Sequence, residues 1–242
     1  MLLDALFPKR CAGCGSGPWP FCGPCSRAIV PLQPPWCRRC GVPMKRNRDG
    51  CDHCPPVPIA SARAPFLFDG PVRRAVHRLK FAGWRPVADA LGRAMTEVLD
   101  ADVELVTWVP VSDRRRAARG YDQALALAEV VSGRRDLPLG RLLRRIADPP
   151  VSQARRGGAE RRVAMRGSFE VEGDVPRRVL LVDDVLTTGA TAGACAEQLV
   201  AAGAREVALL TAARAASGAM ADLYSRRGLV SGSVVARGTS PR

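Results

Sequence analysis

Residues 179–191, VLLVDDVLTTGAT, combine two adjacent carboxylates with a short turn of hydroxyls and glycine. Asp183 and Asp184 can each accept a hydrogen bond from one of two vicinal hydroxyls. Thr187, Thr188 and Thr191 offer hydroxyl donors, and Gly189 lets an anion approach the backbone closely. Acids beside an anion site repel the anion unless they serve another part of the same ligand. A ribose 5-phosphate satisfies both halves, with phosphate in the turn Thr187, Thr188, Gly189, Ala190 and Thr191 and the diol on the aspartates. No Gly-Lys-Thr follows, which excludes a Walker A loop, and the spaced glycines of a dinucleotide fingerprint are missing.

Two further groups of residues point to chemistry. Eight of the nine cysteines fall in four CxxC pairs: Cys11/Cys14, Cys22/Cys25, Cys37/Cys40 and Cys51/Cys54. Each pair can give two thiolates to one tetrahedral ion, so four pairs make two structural zinc sites. Sequential and cross-braced pairing are both open. His53 lies between two ligands but is not needed to complete a shell. The segment SDRRRAARGYDQ carries Arg114, Arg115, Arg116 and Arg119 after an apolar run. Guanidinium forks grip phosphoryl oxygens in two places, which suits a diphosphate.

These groups need elements to hold them. The apolar run 179–182 predicts a buried parallel strand, with the acids at its carboxyl end. A helix over about 190–202, stopped by Gly203, aims backbone N–H groups and its positive dipole end at the turn. Residues 105–109 predict a second strand, followed by a basic loop and a helix over about 121–132, with Asp122 and Gln123 at its cap. Residues 64–69, 140–146, 168–171 and 207–212 predict further strands. Residues 70–81 and 84–99 predict amphipathic helices, and Lys80, at the end of the first, can point toward the anion site. Residues 148–166 lack an apolar period and predict a basic lid over a charged substrate. Cys195, alone on the last helix, predicts a packed core residue.

The chain of 242 residues suits one full domain plus a small module. We expect a module over 1–58 whose folding energy comes from metal, a domain over 59–225 and a disordered tail over 226–242. The net charge of +14 favours polyanionic partners, nucleic acid or a heavily phosphorylated substrate. The first residues are too short an apolar run for a signal peptide, and no window reaches the length of a membrane span. A cytoplasmic location is expected, where thiols stay reduced.

The string 179–191 resembles the phosphoribosyl diphosphate (PRPP) signature of type I phosphoribosyltransferases. The order of CxxC pairs, FDGPVRRAVHRLKFAG, VPVSDRRRAARGYDQA, the Gln153 loop and VDDVLTTGAT resembles the ComF family over about residues 2–212. The resemblance implies an α/β fold of the type I phosphoribosyltransferase kind. Its mostly parallel sheet would be flanked by helices behind a small N-terminal four-cysteine zinc-ribbon module. It implies a pentosyl-group glycosyltransferase using PRPP with Mg²⁺, and a link to DNA uptake in competent bacteria and to the uptake machinery; the alternative is a non-catalytic zinc-ribbon accessory protein that binds single-stranded DNA in uptake or repair. Asp183 and Asp184 would form the catalytic, diol-holding pair. Val111, Ser112, Arg115, Arg116 and Arg119, joined by Lys80, would receive the diphosphate. Gln153 and Arg161 would sit in the flexible loop. Arginine 156 and alanine 164 stand where family members commonly carry leucine and asparagine.

Overall fold

The structure, a computed structural model, describes residues 10–56, 58–81, 84–147, 167–216 and 224. In chain order its regular elements are α1 (Gly23–Arg27), β1 (Ile59–Arg63), β2 (Phe66–Leu67), α2 (Gly70–Phe81) and α3 (Pro86–Glu97). There follow β3 (Leu105–Trp108), α4 (Asp113–Arg119), α5 (Gln123–Arg135), β4 (Leu143–Arg145), β5 (Phe169–Val171), β6 (Arg178–Leu186), α6 (Ala190–Ala201) and β7 (Glu206–Arg214).

The main sheet is parallel, in the order β1-β7-β6-β3, with β2 also pairing β7. The central strand β6 explains why the sheet is sandwiched. Val179 and Leu181 face one apolar cluster, with α6 and residues of β4 and β5. Leu180 and Val182 face the other, with α2, α3 and α5. All four are fully buried, because the strand period of two sends successive side chains into opposite cores. Each such burial contributes roughly 1.5–3 kcal/mol relative to exposure.

Two predicted elements came out differently, and the predicted strand within 140–146 formed outside the main sheet. Residues 64–69 hold only the two-residue β2, and the edge strand β1 begins earlier, at Ile59, directly after the prolines. Leu143–Arg145 does not join the main sheet; it pairs antiparallel with Phe169–Val171 as a separate ribbon. Residues 113–119, expected as a loop, form α4. Alanine and arginine are good helix formers, and Arg116 reaches Asp113 at 2.7 Å one turn back. Cys195 is fully buried, as expected of a core residue.

The cysteine-rich segment packs on the sheet domain through carbonyl groups held by arginines. Arg74 Nε donates to Gly13 O at 2.7 Å, and Arg78 donates to Cys11 O and Ala12 O. Arg214, at the end of β7 and almost fully buried, donates to Cys40 O and His53 O. Burial lowers the pKa of the Arg214 guanidinium, and the nearby thiols, Cys40 first, raise it. Gly13 has no room for a side chain there: a Cβ would lie 2.8 Å from both Cys25 Sγ and Pro71 Cβ.

Candidate functional site

The cysteines settle their own pairing. Cys11, Cys14, Cys22 and Cys25 bring their sulfurs within 4.8 Å of one another, and so do Cys37, Cys40, Cys51 and Cys54. The pairing is sequential, not cross-braced. Within the clusters, Cys14–Cys22, Cys40–Cys51 and Cys37–Cys54 stand 3.6, 3.4 and 3.7 Å apart. A tetrahedral shell with Zn–S near 2.3 Å has edges of roughly 3.8 Å, so the geometry fits zinc. Backbone N–H groups support the thiolates: Cys14 and Cys22 donate to Cys11 Sγ at 3.4 and 3.3 Å, and Cys51 donates to Cys54 Sγ at 3.3 Å. Burial alone would raise Cys11, but these donors and Gly13 outweigh it and bring the thiol to about 6. Burial pushes Cys25 up to about 12 and raises Cys40 as well. Zinc must displace those protons, so its hold weakens in acid.

The second site lies at the carboxyl end of β6. Asp184 is 4% exposed and pairs with Lys80 Nζ at 2.9 Å through Oδ2. Its backbone N–H donates to Asp183 Oδ1 at 2.8 Å. Burial, then repulsion from Asp184, pushes the Asp183 carboxyl up to about 8, against the pull of Lys80. Near neutral pH Asp183 therefore tends to keep its proton. The turn after them opens to solvent at Thr187 and Thr188, while Gly189 and Ala190 are buried. Gly189 adopts φ +72 and caps α6, and Thr188 Oγ1 accepts from Ala190 N at 3.4 Å.

The strand order sets the neighbouring segment. β3 runs parallel to β6, with Trp108 opposite Val182, and Val109 N donates to Val182 O. Residues 110–112 thus leave the sheet beside the acids. Asp122 fixes this segment from below. Its carboxylate accepts from Ala124 N and Leu125 N at the start of α5, and from Val111 N at 3.2 Å. Burial raises Asp122, and those N–H groups, Val111 first, oppose the rise. Asp122→Ala should destabilise the protein by about 2 kcal/mol, since it removes a cap and leaves the Val111 N–H unmet. Chemical denaturation would measure this, and an Asn variant should recover most of it.

Among the sequence-predicted residues, Lys80 and both aspartates are drawn together. Ser112 is buried, and Arg114, Arg115 and Arg116 lie exposed on α4. The side chain of Arg119 and all of Gln153 and Arg161 lie outside the described residues, as do the expected lid and tail. One contact had no sequence signal. A Cβ on Gly189 would stand 3.0 Å from Pro56 Cδ and 3.2 Å from Pro55 Cβ, so the prolines after Cys54 press on the turn. Sequence reasoning could see them only as a linker.

Comparisons with known proteins bear on the zinc ribbon and on the family. A double zinc ribbon domain model matches residues 2–55. DNA utilization protein YhgH of Escherichia coli is 30% identical over 210 residues, which cover 79% of this chain and 88% of that protein. The chain belongs to the ComF family. Competence protein F of Haemophilus influenzae is 27% identical over 210 residues, 81% of this ComF chain and 90% of its own. Among solved structures, the allosteric regulatory enzyme of purine biosynthesis aligns at 20% identity and TM-score 0.39. The alignment covers 54% of the ComF chain and 26% of that enzyme.

No helix among the described residues of this ComF protein is long and apolar enough to cross a membrane.

Proposed function

We propose that this protein binds PRPP and acts as a phosphoribosyltransferase, releasing diphosphate. The observation that carries the reading is the junction of β6 and α6: a half-buried and a buried carboxylate, Asp183 and Asp184, followed two residues later by an open, hydroxyl-rich turn at a helix start. Asp183 and Asp184 accept hydrogen bonds from the ribose 2- and 3-hydroxyls. The turn from Thr187 to Thr191 donates N–H and O–H groups to the 5-phosphate, helped by the α6 dipole. The segment 110–112, tied down by Asp122, and the arginines after it lie toward the diphosphate. Lys80 holds Asp184 in place and lowers the cost of two adjacent acids. The cluster of hard oxygen donors fits Mg²⁺ accompanying the ligand, which when bound neutralises charge on the diphosphate. Catalysis then rests on positioning and on charge stabilisation as the ribose ring becomes cationic.

Calorimetry with PRPP and Mg²⁺ tests this, followed by an assay for released diphosphate with candidate bases or DNA. Absence of binding at millimolar PRPP would refute the reading.

The raised Asp183 gives a pH signature. The folded state keeps the proton above the unfolded pKa of 3.8, so stability from this group is full below about 4 and is lost as pH rises through about 8. Asp183→Asn should match the parent at pH 4 and exceed it at pH 8. Each kcal/mol of relief would appear as about 2–4 °C in Tm. A difference that shrinks toward high pH would contradict the assignment.

A second reading is favoured by the relatives, which are DNA utilization and competence proteins, and by the net charge of +14. In it the protein handles single-stranded DNA, with affinity that falls with salt.

A further inference from the structure

We propose that the outer face of α2 is a track for single-stranded DNA, with ring stacking at one end and phosphate contacts at the other. This deepens the second reading and rests on it.

At helical spacing, Arg73, Arg74, His77, Arg78 and Phe81 share one face of α2. Arg73, Arg74 and His77 are exposed, and Phe81 is 68% exposed, a large apolar ring in water at the helix end. The rings form a row. His77 stacks on Phe68 with centroids 6.3 Å apart and planes 22° from parallel, and Phe81 follows at 5.7 Å from His77. The Phe81 plane is tilted 56° from His77, so the exposed ring of Phe81 itself, rather than a continuous stack, is the surface offered to a base. Bases stack on such rings whatever their identity, because every base has a π-face.

The other end supplies charge. A cavity of about 380 Å³ is lined by Asp69, Gly70, Arg73, Arg74, His77 and Arg78. Three guanidinium groups against one carboxylate leave it net positive. Arg74 and Arg78 are anchored by the first zinc ribbon, through Gly13 O, Cys11 O and Ala12 O, and Arg78 also lies over Trp84 at 5.9 Å. Each uses only part of its five-donor fork there. They are therefore held in place, with less entropy to lose when a phosphate arrives. Arginine beside ring faces is the pairing that a flexible strand needs and a duplex does not, since duplex bases are already stacked.

The face is about 18 Å long for its twelve residues. Its last turn carries Lys80, which holds Asp184, so a strand on this track ends next to the acidic pair.

The test is fluorescence anisotropy on the full zinc-loaded chain with an oligothymidylate of about 15 nucleotides, at several salt concentrations. Phe81→Ala should weaken binding about fivefold or more, with the salt slope unchanged, and Phe81→Trp should restore it. Arg73→Ala should lower the salt slope by about one. PRPP binding should be unaffected in all three. If the parent binds and both alanine variants bind equally well with the same slope, the strand lies elsewhere and the track is wrong. Equal affinity for a matched duplex, or tighter binding of a matched oligouridylate, would also overturn it. If the parent binds no oligonucleotide, the DNA-handling reading itself fails.

Discussion

Cys40→Ser is expected to lower the zinc content from two ions per chain to one and to unfold the second ribbon. Apparent zinc binding in small four-ligand sites is worth about 10–16 kcal/mol at neutral pH, and that binding energy is folding energy. The segment from 28 to 56 contributes only Leu32, Val42 and the cysteines themselves to the buried part of a small apolar cluster that it shares with Ala64, Leu67, Ala216 and Tyr224. The damage should reach the sheet domain. Arg214 is almost fully buried and donates to Cys40 O and His53 O. Once those carbonyls move, a buried cation loses its partners. Pro55 and Pro56 follow Cys54 directly and press on Gly189 and Gly193, so the turn between β6 and α6 should loosen as well. Metal analysis by mass spectrometry, with thermal unfolding and limited proteolysis, would show this. Cys195→Ser is the control: that thiol lies in the sheet core, away from both clusters. Two zinc ions retained by the Cys40 variant, or an unchanged Tm, would contradict the proposed support.

Asp183→Ala with Asp184→Ala should remove PRPP binding from the measurable range. One charge-assisted and one neutral hydrogen bond to the diol are lost, together about 2–4.5 kcal/mol, which is roughly 30- to 2,000-fold in affinity. The variant also strands Lys80, whose side chain is about three-quarters buried and whose ammonium pairs with Asp184. Removing one partner of such a pair costs about 3 kcal/mol or more. A triple variant that adds Lys80→Met should regain that stability without regaining PRPP. The combination separates a folding defect from a lost ligand contact. Oligonucleotide binding should survive in the triple variant, since the outer face of α2 is intact. PRPP affinity within a few-fold of the parent would sink the diol assignment.

Local patterns carried much of this protein. The apolar run before Asp183 could only be an inner strand, because both of its faces are greasy, and α2 was bounded correctly at 70 and 81. CxxC spacing announced two tetrahedral shells without any knowledge of the fold. Helix α4 is not legible as a helix because its dense arginines match an anion-binding loop as well as they match a helix; their helix propensity decides the outcome. β1 was missed because IASAR has a weak pattern and is a strand only by pairing with β7.

By itself the sequence determined which groups exist and how neighbours in the chain are arranged: acids, then turn, then helix, and cysteines separated by two residues in knuckles. Those are short-range facts, fixed by strand and helix periods and by the reach of a few bonds. Only the tertiary structure decided which knuckles share a shell, that Lys80 sits on Asp184 from more than a hundred residues away, and that the prolines after Cys54 rest on Gly189. Such contacts depend on the order of strands in the sheet, and sheet order is chosen by burial of the whole core rather than by any one segment.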